Sequence, residues 1–480
     1  QCCRCGRQFR GEGRTERKDN LVEKINQKLT GSKKNTVSRL IIGFWLILAF
    51  LPLRDALGQM SIISDEETEQ YLAKVIRPIF QTAGIPFNRN KIYIVNDNSL
   101  NAFVGDGNNL FIHTGTLLKA DNTDQISGVL AHETGHILGG HILRQKIKNQ
   151  SMQEASLASL VLAGAAAAAS GRGDVAVAVM LGSQSSLLSN YMAYRVEEER
   201  SADDAAVKLL YKRQTSPQGL LQFMKKIQKQ NALNGIEESD YFRTHPVTSE
   251  RVRFLEQAVK QSPYHQDHSL DNEFQRIKAK LYGFLQEPAQ TFKRYPPSDT
   301  SIAARYAQAI AYFKQLNFGK ALRMIDALSA EEPDNPYFYE LKAQIYMEQG
   351  NLKAAKEAYG KVLKLRPDAA LLQVDWAQAA LAVSPSPAEL KNIIAVLNRS
   401  LQQRPSAMGW LLLSQAYDQN GQTAYAEYAA AEYSLRIGAA ENAQRKNPPS
   451  ALRLKLDDLL RRIKNTYPDL NEIKQPRKRG

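Results

Sequence analysis

Cysteine is missing from almost the entire chain: of 480 residues only Cys2, Cys3 and Cys5 carry a thiol. Everything downstream can form neither a disulfide nor a thiolate site, so a metal centre there must use histidine and carboxylate. We read no metal site into Cys2-Cys3-x-Cys5 itself. Histidine is scarce as well, with seven residues. Long apolar runs are lacking apart from Leu40 to Leu53, which Pro52 interrupts and which falls short of the roughly 20 residues of a membrane helix. A basic surplus is also missing from the middle of the sequence. The net charge of +14 divides into 12 Lys/Arg against 5 Asp/Glu over 1–58 and 11 against 5 over 441–480, leaving 40 against 39 between them. A nucleic-acid binder would carry a basic stripe within a fold, so nucleic acid is not an expected partner. With 43% apolar and 23% charged residues the chain is globular, with length for two to four domains.

Residues 1–58 read as a leader, a basic stretch followed by the apolar run and then Ala56-Leu57-Gly58. That order is the pattern of a secretory signal, with cleavage near Gly58 and a periplasmic destination. No cysteine follows the run to take a lipid. An uncleaved anchor is the alternative.

From residue 63 to about 82, Tyr71, Leu72, Val75, Ile76 and Ile79 recur at helical spacing behind the acidic turn Asp65-Glu66-Glu67. Residues 91–95 (KIYIV) and 109–114 (NLFIHT) alternate like strands, with Gly105-Asp106-Gly107 between them, and predict a small antiparallel sheet. A helix is expected from Thr123 through His141, where Gly135, Gly139 and Gly140 cost stability unless something packs against the backbone. Residues 153–190, rich in small side chains, predict two helices joined at Gly171-Arg172-Gly173-Asp174, neither apolar piece long enough to cross a membrane. A packed hairpin beside the site is the expectation, and a membrane-touching or mobile lid the alternative.

The second half repeats. Ala309, Tyr312, Ala321 and Pro333 recur 34 residues later as Ala343, Tyr346, Ala355 and Pro367, the tetratricopeptide period. A third unit spans Ala377 to Pro405, and a fourth contains Trp410, Leu413, Tyr417, Gly421 and Ala426. Small residues stand where paired helices cross.

His132-Glu133-Thr134-Gly135-His136 is an HExxH string within a predicted helix. Positions i and i+4 share a face, so both imidazoles can reach one zinc ion while Glu133 stands beside the open position to deprotonate an attacking water. A third ligand at Ile142 is impossible, and His141, one residue off, would point about 140° from His136 on a continuing helix. Glu199 and Asp203, also i and i+4, supply one carboxylate for the metal and one to hydrogen-bond a ligand imidazole. Glu197, Glu198 and Asp204 read as solvated charge, His265 and His268 as surface residues, and His113 as structural.

His132-Glu133-Thr134-Gly135-His136, Glu199-Arg200-Ser201-Ala202-Asp203 and Thr244-His245-Pro246-x-Thr248-x-x-Arg251 together resemble the gluzincin metallopeptidases of the HtpX/Ste24 type. With the leader and the repeats, the chain is similar to the periplasmic β-barrel assembly-enhancing proteases of Gram-negative bacteria. The resemblance covers residues 59 to about 438 and implies His132, His136 and Glu199 as zinc ligands and Glu133 as catalytic acid/base. It further implies His245 as a latch or fourth ligand and Arg251 near the substrate face. Misassembled outer-membrane proteins would be substrates, the β-barrel assembly machinery a partner of the repeats, and membrane association peripheral or transient. Ser201 stands where relatives often carry the middle glutamate of Glu-x-Glu-Ala-Asp, which bears on a contact behind the ligands and not on the ligands themselves. The rival reading is a non-catalytic chaperone or scaffold with a vestigial zinc site, and the intact Glu133 opposes it.

The expected architecture is mainly α. A zincin-type metallopeptidase domain with a small antiparallel sheet occupies 59–262 and a helical connector 263–298. A tetratricopeptide α-solenoid of about four repeats fills 299–438, ahead of a basic tail at 439–480.

Overall fold

Asp65 opens the first helix by turning its carboxylate onto the Thr68 backbone N–H, 2.8 Å away, which satisfies one of the donors that every helix start leaves unpaired. In the computed structural model, which describes residues 61–170, 173–234 and 245–437, this helix α1 (Glu66–Thr82) buries Leu72, Ile76 and Ile79. Ile63 belongs to a short strand ahead of it, β1 (Ile62–Ile63). The leader at 1–58, the tail at 439–480, Gly171-Arg172 and Thr244 lie outside the described residues.

Three further strands, β2 (Ile92–Val95), β3 (Ala102–Gly105) and β4 (Asn109–His113), give a sheet in the order β1-β2-β4-β3. This corrects the expectation of an antiparallel sheet. β2 and β4 pair in parallel, with Ile94 opposite Ile112, and only the β1–β2 and β3–β4 pairs are antiparallel. The cause is β3, whose four residues are too short to announce themselves in the sequence. The turn at Gly105 to Asn108, with Gly107 at φ 69°, joins β3 to β4 and so returns β4 to the direction of β2. β3 is left as the outer strand.

After the short α2 (Thr114–Lys119), helix α3 (Thr123–Leu138) packs between the sheet and its helical neighbours, with Ile126, Val129 and Leu130 fully buried. It stops earlier than expected. Gly140 takes φ +61°, a conformation that ends helices, and a new helix α4 (His141–Ser170) starts at once. α4 and α5 (Gly173–Lys212) form a long helical hairpin. As one unbroken helix, α4 is long and apolar enough to cross a membrane, contrary to the reading of its apolar piece alone. α6 (Gln218–Asn234) and α7 (Ser249–Gln261) pack against each other, α6 also against α3 and α7 against α5.

α8 (Asp271–Leu285) and α9 (Pro288–Arg294) lead into paired helices: α10 (Ile302–Lys314) with α11 (Phe318–Glu331), and α12 (Pro336–Glu348) with α13 (Leu352–Leu365). α14 (Ala370–Leu381) with α15 (Pro387–Gln403) and α16 (Ala407–Gln419) with α17 (Thr423–Arg436) complete the series. The periodic alanines Ala309, Ala321, Ala343 and Ala355 are all inaccessible at these crossings.

The acidic first turn of α1 has a second use. Lys280 of α8 reaches Asp65 at 2.5 Å, Glu340 of α12 at 3.3 Å and Glu67 at 3.4 Å, while Arg276 holds Glu67 at 2.6 Å. Arg404, which caps the end of α15, pairs with Glu69. Buried carboxylates are tolerable only with such partners, so α1 and the repeats are tied by ions in their common interior.

Candidate metal centre

His132 and His136 lie one turn apart on α3, and α5 crosses that turn closely enough to add Glu199. The approach depends on Gly135, because a Cβ built there would stand 2.5 Å from the Ala202 carbonyl oxygen. The result is a triangle of donor atoms. His132 Nε2 and His136 Nε2 are 3.1 Å apart, and Glu199 stands 3.2 Å from the first and 3.3 Å from the second. A tetrahedral zinc with bonds of about 2.0–2.1 Å sets its ligands about 3.4 Å apart, so these residues fit such an ion. His245 joins the group, the donor atoms of all four lying within 4.8 Å of one another.

Burial lowers the His136 imidazole to about 3, which keeps its lone pair available. His132 is buried too, but hydrogen bonds with Asp203 and Glu199 outweigh that cost and push it up to about 10. The Asp203 contact at Nδ1 is the part that leaves Nε2 free to bind a cation and makes it a better donor. Burial would raise Glu199, yet His245, Arg251 and His136 hold it well below the usual carboxylate range.

Glu133 is 1% exposed, and neither of its carboxylate oxygens has a hydrogen-bond partner among the described residues. Burial raises its pKa, partly offset by His245 and His132. His245 bridges the two carboxylates: its Nδ1 is 3.0 Å from Glu199 Oε1, and its Nε2 is 3.6 Å from Glu133 Oε1. An imidazole at this place can occupy the position next to Glu133.

Asp203 Oδ1 lies 2.8 Å from His132 Nδ1, the orienting contact expected of the second carboxylate. Arg251, expected near the substrate face, lies directly behind the ligands. It is 2% exposed, and its guanidinium clamps Asp203 with two bonds of 2.6 and 2.9 Å and reaches Glu199 at 2.8 Å. The same group donates to the Pro246 carbonyl at 2.7 Å, which fixes the backbone beside His245. Arg251 is thus a positioning residue, drawn inward because two buried carboxylates require a cation.

The helix break at Gly139-Gly140 also overturns the geometry assumed for His141. α3 does not continue, and His141 Nδ1 comes within 2.8 Å of His136 Nδ1. The paired glycines were the signal that sequence reasoning passed over. Glu198 is buried, not solvated, while Glu197 is exposed and Asp204 pairs with Lys208. His113 bonds Ser99 Oγ at 2.8 Å and packs edge-on to Phe103, whereas His265 and His268 are exposed.

Residues 66–259 match the profile of peptidase family M48, and residues 306–370 and 341–384 that of the tetratricopeptide repeat. The Beta-barrel assembly-enhancing protease of Escherichia coli (strain K12) is 24% identical over 388 residues, covering 79% of this chain and 78% of that protein. The Putative beta-barrel assembly-enhancing protease of Vibrio cholerae serotype O1 is 23% identical over 399 residues, 81% of this chain and 80% of its own. Metalloprotease YcaL of Escherichia coli (strain K12) is 29% identical over 189 residues, 39% of this chain and 68% of its length.

Proposed function

We propose that this chain, a metallopeptidase with a peptidase M48 domain and C-terminal tetratricopeptide repeats, is a zinc-dependent endopeptidase serving outer-membrane protein assembly in the periplasm. The observation that carries the reading is the donor triangle of His132, His136 and Glu199 with Glu133 buried beside it. These three residues would hold the zinc, two imidazoles and one carboxylate being a thiol-free donor set that suits it. Zinc bound there supplies the charge that acidifies a water and polarises a peptide carbonyl.

The chain's own groups do the rest. Glu133, with its raised pKa, takes a proton from the attacking water and returns it to the leaving amine. The outer strand β3, packed against α3, offers an edge for an extended peptide to pair with beside the helix that carries Glu133. His245, lodged against Glu133 and Glu199, holds the resting enzyme latent until it withdraws.

The names of the relatives support a role in outer-membrane protein assembly, with misassembled outer-membrane proteins as substrates. The repeats would recruit the β-barrel assembly machinery and lend a chaperone function. The apolar run Leu40 to Leu53 followed by Ala56-Leu57-Gly58 supports export.

Glu133→Gln tests the reading. The variant should bind one zinc per chain, because no ligand is altered, and lose proteolysis by a factor on the order of 10² to 10⁴. Loss of proteolysis with retained complementation of outer-membrane assembly would separate the protease from the chaperone. A variant that still cleaves substrate sinks the mechanism.

A further inference from the structure

Most of the large apolar side chains exposed among the described residues stand on one feature, the α4–α5 hairpin. Leu143, Ile147, Leu157 and Val161 project from α4, and Val177 and Leu181 from α5, each more than half exposed. Their distribution around the helix is informative. Leu160, Val161 and Leu162 follow one another at 50, 72 and 63% exposure, and consecutive helical residues are about 100° apart. Only a narrow seam with Ser159 and Ala163 is covered. A folded partner covers one face of a helix, whereas a helix apolar around its circumference suits hydrocarbon, which covers every side.

Charge sets the depth. No Asp, Glu, Lys or Arg occurs from 155 to 171 or from 175 to 194, stretches of about 25 and 30 Å as helix, against a bilayer hydrocarbon core of about 30 Å. At the base, Arg144, Lys146 and Lys148 are on α4 and Arg195 on α5. The Lys148 ammonium lies 4.9 Å from the Tyr194 ring centre, so a cation and an aromatic occupy one level, the pairing found where a segment leaves the hydrocarbon.

We propose that the α4–α5 hairpin is an arm that inserts into a lipid bilayer with anionic headgroups, seated by the cationic band at 144–148 and Arg195. Seating the arm would place the metal centre at the membrane surface. α5 continues unbroken from Tyr194 to Glu199, about 8 Å along its axis, and α4 begins five residues beyond His136. The peptidase would then meet its substrates where they touch lipid.

Hydrogen exchange of the full chain, read by mass spectrometry, tests this locally. Vesicles of phosphatidylethanolamine and phosphatidylglycerol should slow amide exchange at least tenfold within 155–192 and leave 340–380 unchanged. The triple variant Leu157→Glu, Val161→Glu, Leu181→Glu, altered only at exposed positions, should lose that protection. Any vesicle binding through residues 40–53 is common to both proteins and does not enter the comparison. Equal protection in the triple variant, or none in the wild type, overturns the proposal. So does protection in buffer alone that grows with protein concentration, which would assign the arm to a second copy of the chain.

Discussion

His132 and Asp203 are bound edge to edge, with Nδ1 2.8 Å from Oδ1, both residues inaccessible to solvent. The carboxylate fixes which imidazole nitrogen carries the proton and leaves Nε2 aimed at Glu199 and His136. Asp203→Asn should therefore weaken zinc affinity about 10- to 100-fold while the fold persists. Competition against a zinc-binding dye reads this directly, and unchanged affinity would show that the imidazole needs no such partner.

Gly135 is the contact through which α3 and α5 come together. In Gly135→Ala the new methyl group meets the Ala202 backbone, which belongs to a helix and cannot turn aside. A loss of about 1–3 kcal/mol is expected, together with zinc released during gel filtration, because Glu199 would be carried away from both histidines. Thermal melting of the metal-free protein and metal content of the purified variant are the two measurements.

His245→Ala separates two roles for the loop histidine. As a latch, its removal should raise peptide hydrolysis roughly tenfold, equivalent to about 1.4 kcal/mol. A fall in kcat would instead assign the imidazole to stabilising the reaction's charge.

Glu340 gives a pH dependence. Asp65, Glu67 and Glu340 share two cations, Lys280 and Arg276, and burial pushes the Glu340 carboxyl up from 4.5 to about 8. The unfolded chain gives up this proton first. Its contribution to stability is therefore complete below about 4.5 and is lost as pH rises through about 8. Wild-type protein should lose melting temperature between about pH 4.5 and 8, and Glu340→Gln should flatten that loss. Parallel curves for the two proteins would show that Glu340 stays ionised throughout.

The gathering of His132, His136 and Glu199 into one candidate metal-binding group was legible because HExxH and the Glu199–Asp203 pair obey helical spacing, which is local. The 34-residue period was legible for a similar reason, since each repeat is a short-range unit. What escaped depended on chain reversal or burial. A four-residue β3 carries too little pattern to be seen, yet it changed the sheet from antiparallel to mixed. Gly139-Gly140 was read as a cost within a helix and not as its end, which misplaced His141. Spacing alone cannot reveal that Arg251 lies against two buried carboxylates of α5, because that contact joins separate helices. The acidic turn of α1 reads as dipole compensation in sequence, although the counter-charges of Glu67 and Glu69 come from 200 and more residues away.

That distribution of counter-charges bears on modularity. Asp65 and Glu67 belong to the first helix of the peptidase, Arg276 and Lys280 to the helix that follows it, and Glu340 to the repeats. A cut or graft between 262 and 271 would leave Asp65 and Glu67 without their cations on one side, and Lys280 and Arg276 with only Glu340 and Glu332 on the other. Exchanging the array for that of a relative thus requires α1 and α8 to travel with it. The repeats and the peptidase are coupled by charge as one block and not joined as an interchangeable cassette.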